Sequence, residues 1–235
     1  MTSDTLKLFL TPEHDCSYLP DKTARSMFVN PSTKITSDLY SSLNLRGFRR
    51  SGKYLYKPHC EACNACMASR VLVNEFKPNR SQKRIMRRNE DLKVTLLPSI
   101  SNTKCYELYE KYITLRHADG DMYPPSIDQY QSFLVEQLST TIYIGFFLED
   151  ELVCVSVIDQ VDDGLSALYT FYNPDLTKRA LGVNAILWQL SECKKLSMPF
   201  LYLGYWIENC QKMNYKSAYQ PQEIYKNEIW QKISP

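Results

Sequence analysis

Arg116-His117-Ala118-Asp119-Gly120 concentrates more chemistry than any other short stretch of the chain. It sets His117 between a guanidinium and a carboxylate, so His117 or Asp119 could orient a reacting group or carry its proton. The same residues also read as a helix end, in which Arg and His offset the macrodipole and Gly120 supplies the stop. A second group is Cys60, Cys63 and Cys66, at Cys-x2-Cys-x2-Cys spacing. Thiolates two residues apart on a turn can share one tetrahedral zinc ion or begin an iron-sulfur run. Arg70 follows where such a run would continue, so a fourth ligand must come from elsewhere, with Cys16 first and His59 or His14 behind it. The alternative is a loop stabilised by three small packed thiols.

Two further stretches carry backbone chemistry. Arg179-Ala180-Leu181-Gly182 opens a helix, and in N-acyltransferases a loop of the type Arg/Gln-x-x-Gly-x-Gly/Ala holds a pyrophosphate on the amides of such an end. Asn184 replaces the last small residue, so the match is partial and close packing at Gly182 is the plainer reading. Leu201-Tyr202-Leu203-Gly204-Tyr205-Trp206-Ile207 alternates as a strand whose end would present aromatic faces able to stack on an unpaired base.

Around residue 100 the pattern divides. The first part predicts short strands over residues 24–29, 48–56 and 70–73, a helix from Ser37 to Gly47, and a helix over residues 80–90. Residues 92–97 predict a strand, and residues 103–117 and 126–138 predict two helices, the second capped by Ser126. Three β-branched and aromatic runs follow at 142–148, 152–158 and 165–172, joined by Glu149-Asp150-Glu151 and Asp162-Asp163-Gly164. A helix bearing Val183, Ile186, Leu187, Leu190 and Cys193 and a strand at 200–205 complete the order of an N-acyltransferase fold. The expected class is therefore α+β. An irregular N-terminal module with a cysteine loop (residues 1–98) precedes a GNAT-like domain with a mainly antiparallel sheet (residues 99–235).

Composition narrows the function classes. At 235 residues, 44% hydrophobic and 23% charged, the chain has the balance of a folded protein of one large domain or two small ones. Its apolar runs are too short to span a bilayer and residues 1–15 lack the pattern of a secretory signal, which predicts a cytoplasmic protein with no membrane partner. Eight cysteines in that compartment point to metal or redox work rather than a disulfide framework. The net charge of +2 conceals a basic block from Arg46 to Arg88, where twelve Lys and Arg face two Glu. At about 100° per residue, Arg80, Lys83, Arg84, Arg87 and Arg88 fall within an arc of about 140°, with Ile85 and Met86 opposite. One face is cationic and the other can pack, which fits a phosphate backbone.

These stretches together resemble the arginyl-tRNA-protein transferase family, and within it the short bacterial aspartate/glutamate leucyltransferase branch. The resemblance rests on Cys16-Ser-Tyr-Leu-Pro-Asp, Gly47-Phe-Arg-Arg-Ser-Gly, Tyr56-Lys-Pro-His-Cys with Cys63 and Cys66, Phe76-Lys-Pro-Asn-Arg-Ser-Gln-Lys-Arg and Arg88-Asn-Glu-Asp-Leu. It continues through Arg116-His-Ala-Asp-Gly, Gly164-Leu-Ser-Ala-Leu-Tyr-Thr-Phe-Tyr, Arg179-Ala-Leu-Gly and Tyr202-Leu-Gly-Tyr-Trp-Ile with Cys210, Lys212 and Met213. Asn173, Ala180 and Ser69 depart from the residues common at their positions.

The resemblance implies transfer of leucine from leucyl-tRNA onto the N-terminal Asp or Glu of a protein, creating an N-terminus that marks it for degradation. An aminoacyl ester is already activated, so no cofactor is required for transfer; a structural zinc or iron-sulfur cluster at Cys16, Cys60, Cys63 and Cys66 stays open. On this reading Arg116 or Arg179 would pair with the acceptor carboxylate, and His117, Asp119 and Tyr169 would serve the reacting amine. Tyr172, Gly182, Tyr205 and Trp206 would shape the aminoacyl-adenosine pocket. Arg49, Arg50, Arg80, Lys83, Arg84, Arg87, Arg88 and Lys212 would hold the tRNA. Three alternatives accompany it: arginine as the donated residue, a coenzyme A-dependent N-acetyltransferase, and a metal-stabilised RNA-binding module without catalysis. An arginyl pocket would need a buried acid, for which Asp119, Asp159 and Glu208 are the candidates.

Overall fold

The computed structural model describes residues 6–136, 138–208 and 210–233. Its first part is a four-stranded sheet ordered β1-β4-β6-β5, from β1 (Leu8–Leu10), β4 (Ser26–Val29), β5 (Arg49–Ser51) and β6 (Tyr54–Pro58), with a small β2 (His14–Asp15) and β3 (Thr23–Ala24) ladder beside it. Helix α1 (Ser37–Leu45) precedes β5; Thr36 caps it by accepting from the Leu39 amide. Gly52 turns the β5–β6 hairpin at φ 57°, where a Cβ would strike the Ser132 carbonyl, so only glycine fits.

The main body is an eight-stranded, mostly antiparallel sheet that draws on both ends of the chain. Its strands are β7 (Met67–Leu72), β8 (Leu92–Leu97), β9 (Thr141–Leu148), β10 (Glu151–Val161), β11 (Gly164–Tyr172), β12 (Phe200–Trp206), β13 (Gln222–Lys226) and β14 (Ile229–Ile233). The order is β14-β13-β7-β12-β11-β10-β9-β8, and only β11 and β12 run parallel, joined through α5 (Leu181–Lys195). Strand β7 pairs with both β12 and β13, while β8 pairs with β9. Residues on the N-terminal side of the expected 98/99 boundary thus form part of the large sheet.

Three apolar clusters hold these layers. One lies between the sheet and α5, built on Val153, Ile158, Leu187 and Leu201; Ile85 and Met86 of α2 (Arg80–Arg88) pack on its edge. A second, tyrosine-rich cluster lies under α3 (Thr103–Arg116) and contains Tyr109, Tyr112, Tyr130 and Phe171. The third joins α1 and the small sheet to Val161 and Tyr202 of the large one. Full burial of one such side chain contributes about 1.5–3 kcal/mol, so these clusters are what holds the helices and the small sheet on the large one.

The expected elements are present with shifted bounds, β1 and β2 are additional, and three further differences stand out. The helix expected over 126–138 is α4 (Ile127–Tyr130) followed by a π-helical turn to Val135, and residue 137 lies outside the described residues. The expected strand at 152–158 extends to Val161. Strands β13 and β14, which no expectation covered, close the sheet edge.

Candidate active site

Four elements meet beside the end of β11. Strand β11 brings Tyr169 and Tyr172, the end of α3 brings Tyr112 and His117, the start of α5 brings Gly182, and the segment after β12 brings Lys212. Tyr112 is the centre of this group: its ring lies 4.7 Å from that of Tyr172, 6.4 Å from Tyr169 and 4.9 Å from the His117 imidazole. The Tyr112 hydroxyl and His117 Nε2 are 2.9 Å apart. Gly182 packs closely on this ring: a Cβ there would lie 3.1 Å from Tyr172 Cε1, so Tyr172 would have to shift to admit one. Ala180, the N-cap position of α5 two residues earlier, is left-handed at φ 49°, and no side chain caps the amides of α5.

The electrostatics favour neutral forms at the centre and charge at the rim. Burial and the neighbouring phenols push the Tyr112 hydroxyl well above its usual range. Burial, then Arg116, hold His117 below its ordinary 6.5, with Lys212 adding to the shift and Asp119 opposing it. Asp119 and Lys212 form a 2.8 Å ion pair at the exposed mouth, which lowers the carboxylate and raises the ammonium. Arg116 is exposed beside them.

Several expected residues lie elsewhere. Arg49 and Arg50, expected on the tRNA surface, are interior, at 4% and 3% exposure. Arg50 forms a two-pronged pair with Asp159, Nε to Oδ2 at 2.6 Å and Nη2 to Oδ1 at 2.9 Å, to which Tyr40 and Thr141 add hydrogen bonds. Arg49 donates to the carbonyls of Asn44 and Phe48 and lies 5.2 Å from the Tyr202 ring. Both guanidiniums therefore bind the N-terminal sheet to the large one. Arg179 is bidentate to Asp91 at 2.8 Å for each contact, tying the turn before α5 to the turn after α2 rather than facing the tyrosines. Tyr205 points to the small sheet, donating to the Gly47 and Tyr56 carbonyls. Trp206 ends β12, half-buried.

The cationic helix is as expected. Asn79 and Gln82 form a reciprocal capping box, and Arg80, Lys83, Arg84, Arg87 and Arg88 are all exposed. The Arg88 guanidinium donates to the Lys178 carbonyl, and Asn89 donates to the Arg179 carbonyl at 2.8 Å. These bonds fix the basic face next to the loop that enters α5.

Cys16, Cys60, Cys63 and Cys66 all line one cavity of about 400 Å³, with Tyr18, Tyr56 and Tyr205 among its other walls. Burial and the other three thiols push Cys66 up to about 12. Four thiols around one space suit a thiophilic ion in donor type. Among the described residues, however, no three Cys, His, Asp or Glu side chains are gathered at ligating separation. No step of the reaction is routed through such an ion.

Comparison with known proteins decides the family. The model described as arginine-tRNA-protein transferase, N terminus, matches residues 14–84, and the corresponding C-terminus model matches residues 104–226. The chain belongs to the arginine-tRNA-protein transferase family. Within that family it is 50% identical over 230 residues to the aspartate/glutamate leucyltransferase of Alcanivorax borkumensis, covering 98% of this chain and 95% of the relative. The protein of the same name from Marinobacter nauticus is also 50% identical, over 98% of this chain and 97% of its own length. That from Pseudomonas aeruginosa is 49% identical over 96% of each. Among solved structures, L-PGS from Bacillus licheniformis shares the fold at a TM-score of 0.50 and 12% identity, over 72% of this chain and 58% of that one. In this transferase-family chain, sequence reasoning missed Tyr112. Its spacing of five residues from His117 is a signal only once α3 is known to end between them.

Proposed function

We propose that the chain transfers leucine from leucyl-tRNA to the α-amine of proteins beginning with Asp or Glu, marking them for degradation in the cytoplasm. The observation that carries this reading is 50% identity along nearly the whole chain to aspartate/glutamate leucyltransferases. The geometry supports it at three points. The exposed cationic face of α2 suits the phosphates of an acceptor stem and adjoins the loop into α5. The ring-lined site beside β11 suits an aminoacyl group and the terminal base. Arg116, exposed beside His117, is the cation for the acceptor's carboxylate, because Arg179 is already engaged by Asp91.

Leucine is favoured over arginine by the state of the acids. Asp159 is consumed by Arg50, Tyr40 and Thr141, Asp119 by Lys212 at the mouth, and Glu208 is exposed. None of these three offers a buried free carboxylate to a guanidinium. An N-acetyltransferase reading is disfavoured because Arg179 faces Asp91 instead of a pyrophosphate position. The parallel β11–α5–β12 crossover is consistent with a GNAT-like arrangement of the second part. For Cys16, Cys60, Cys63 and Cys66 to hold a structural zinc or cluster, the four thiols would have to draw together from their present separations, and metal analysis of the purified protein tests it.

The reaction makes modest demands. A terminal α-amine has a pKa of about 7.7–8.0, so a useful fraction is neutral at cellular pH, and the site needs to align it and accept one proton. The test is transfer of labelled leucine from charged tRNA to peptides starting with Asp, Glu, Lys or Ala. Labelling of the Asp and Glu peptides alone is expected; equal labelling of all four would contradict the acceptor assignment.

A further inference from the structure

The geometry points to Tyr112 as the catalytic residue that takes the proton from the attacking amine, passing its own proton to His117. This inference rests on the transfer reaction proposed above and names a residue for its central step.

The argument starts from how firmly Tyr112 is placed. Its ring is 8% exposed, packed against Tyr172 and Tyr169, and Tyr172 is in turn backed by Gly182 at the start of α5. His117 caps α3, with its backbone amide donating to the Ile113 carbonyl at 2.9 Å, so both partners are anchored to the end of one helix. The 2.9 Å contact between the hydroxyl and Nε2 is therefore part of the fold rather than a chance meeting of two mobile side chains.

Protonation then dictates the direction of the bond. Burial disfavours both tyrosinate and imidazolium, so the pair rests as a neutral phenol and a neutral imidazole. A neutral imidazole has one basic lone pair, and a phenol has one proton. With the hydroxyl donating to Nε2, the proton of the neutral ring sits on Nδ1. His117 has then no basic lone pair left for a substrate. The phenolic oxygen of Tyr112 retains a lone pair, so a proton bound for His117 must travel through it.

The step balances without an added reactant. As the amine nitrogen forms its bond to the ester carbonyl carbon, its N–H bond breaks toward the Tyr112 oxygen and the Tyr112 O–H bond breaks toward His117 Nε2. The result is a neutral phenol and an imidazolium. When the tetrahedral intermediate collapses, the carbonyl carbon's bond to the ribose oxygen breaks, and the proton returns by the same route to that oxygen. Burial, and after it Arg116 with a smaller effect from Lys212, keeps His117 neutral at rest, while the Asp119 carboxylate favours the transient imidazolium. Tyr169, Tyr172 and Tyr215 are the phenols facing Tyr112, and Arg116 is the cation.

Tyr112→Phe keeps the ring and removes only the hydroxyl. In the transfer assay, kcat is expected to fall about 100-fold, the lower end for a lost general acid-base group, with KM for leucyl-tRNA unchanged. The ionisation of His117, an acidic limb below 6.5 in the wild-type kcat profile, should vanish in this variant. His117→Gln should show the same loss, and the double variant no further loss, because the two act as one unit. A thermal melt of each variant separates this from a folding defect. Wild-type kcat in Tyr112→Phe, or survival of the His117-dependent limb, would overturn the relay while leaving the transfer reading intact. A wild-type chain inert with leucyl-tRNA would remove both.

Discussion

In the hairpin after α1, two consecutive arginines lie inside the molecule; on α2, five cations of the same basic stretch face solvent. Arg50 ends on Asp159, a residue of β10, and Arg49 lies between backbone carbonyls and the Tyr202 ring. Among the described residues no acid pairs with the α2 cations, and Ile85 and Met86 occupy the packed side. The difference teaches that a basic block fixes neither burial nor role. A cation becomes structural where a distant strand supplies a carboxylate, and remains available for a polyanion where the opposite face is apolar.

The strongest way to break this comparison is at the buried pair. Asp159→Asn should destabilise the fold by about 3–5 kcal/mol, as expected when one partner of a buried pair is removed, read by denaturant unfolding. A loss within the range of a surface pair would make Arg50 an interface residue after all. Changing Arg80, Lys83, Arg84 and Arg87 together to Ala should leave the melt nearly unchanged. It should weaken tRNA binding and flatten the log–log salt dependence by about 3 to 4, one phosphate contact per cation. Arg116→Ala should lower kcat/KM for Asp and Glu peptides by about 10- to 100-fold, the worth of a charge-assisted hydrogen bond. Arg179→Ala should keep the acidic preference, because its guanidinium is bound to Asp91.

A smaller effect sharpens the energetics of buried charge. Lys216 is buried, donates to the Tyr205 carbonyl, and is lowered to about 7 chiefly by burial and then by Arg49. Its folded pKa lies below the unfolded value of 10.5, so between these limits the unfolded chain binds the extra proton. Stability should therefore rise with pH above about 7 toward alkaline solution, and Lys216→Met should reduce that slope, measured by denaturant midpoints across the range.

The local patterns that require no distant partner were legible in the sequence. The β9–β11 meander follows from its β-branched and aromatic runs and its acidic turns, α2 from its charge arc, and α5 from its apolar period. Strands β13 and β14 form a local hairpin across Asn227 and Glu228 that the sequence reading passed over, and only β13 goes on to pair with the distant β7. Arg49, Arg50 and Arg179 were misplaced because each is settled by a specific polar partner, Asn44, Asp159 or Asp91, that periodicity does not single out. Tyr112 was one tyrosine among seventeen until the end of α3 placed it against His117. His117, Asp119, Tyr169, Tyr172 and Gly182 could be named in advance because they lie at the ends of elements whose boundaries the turn and cap residues announce.

The most direct measurement of the central claim compares donors on one acceptor. A peptide beginning with Asp is incubated with purified protein and either leucyl-tRNA or arginyl-tRNA, and the residue added is read by mass spectrometry. The account predicts addition of leucine and no addition of arginine. Arginine added in its place, or tRNA bound with nothing transferred, would contradict it.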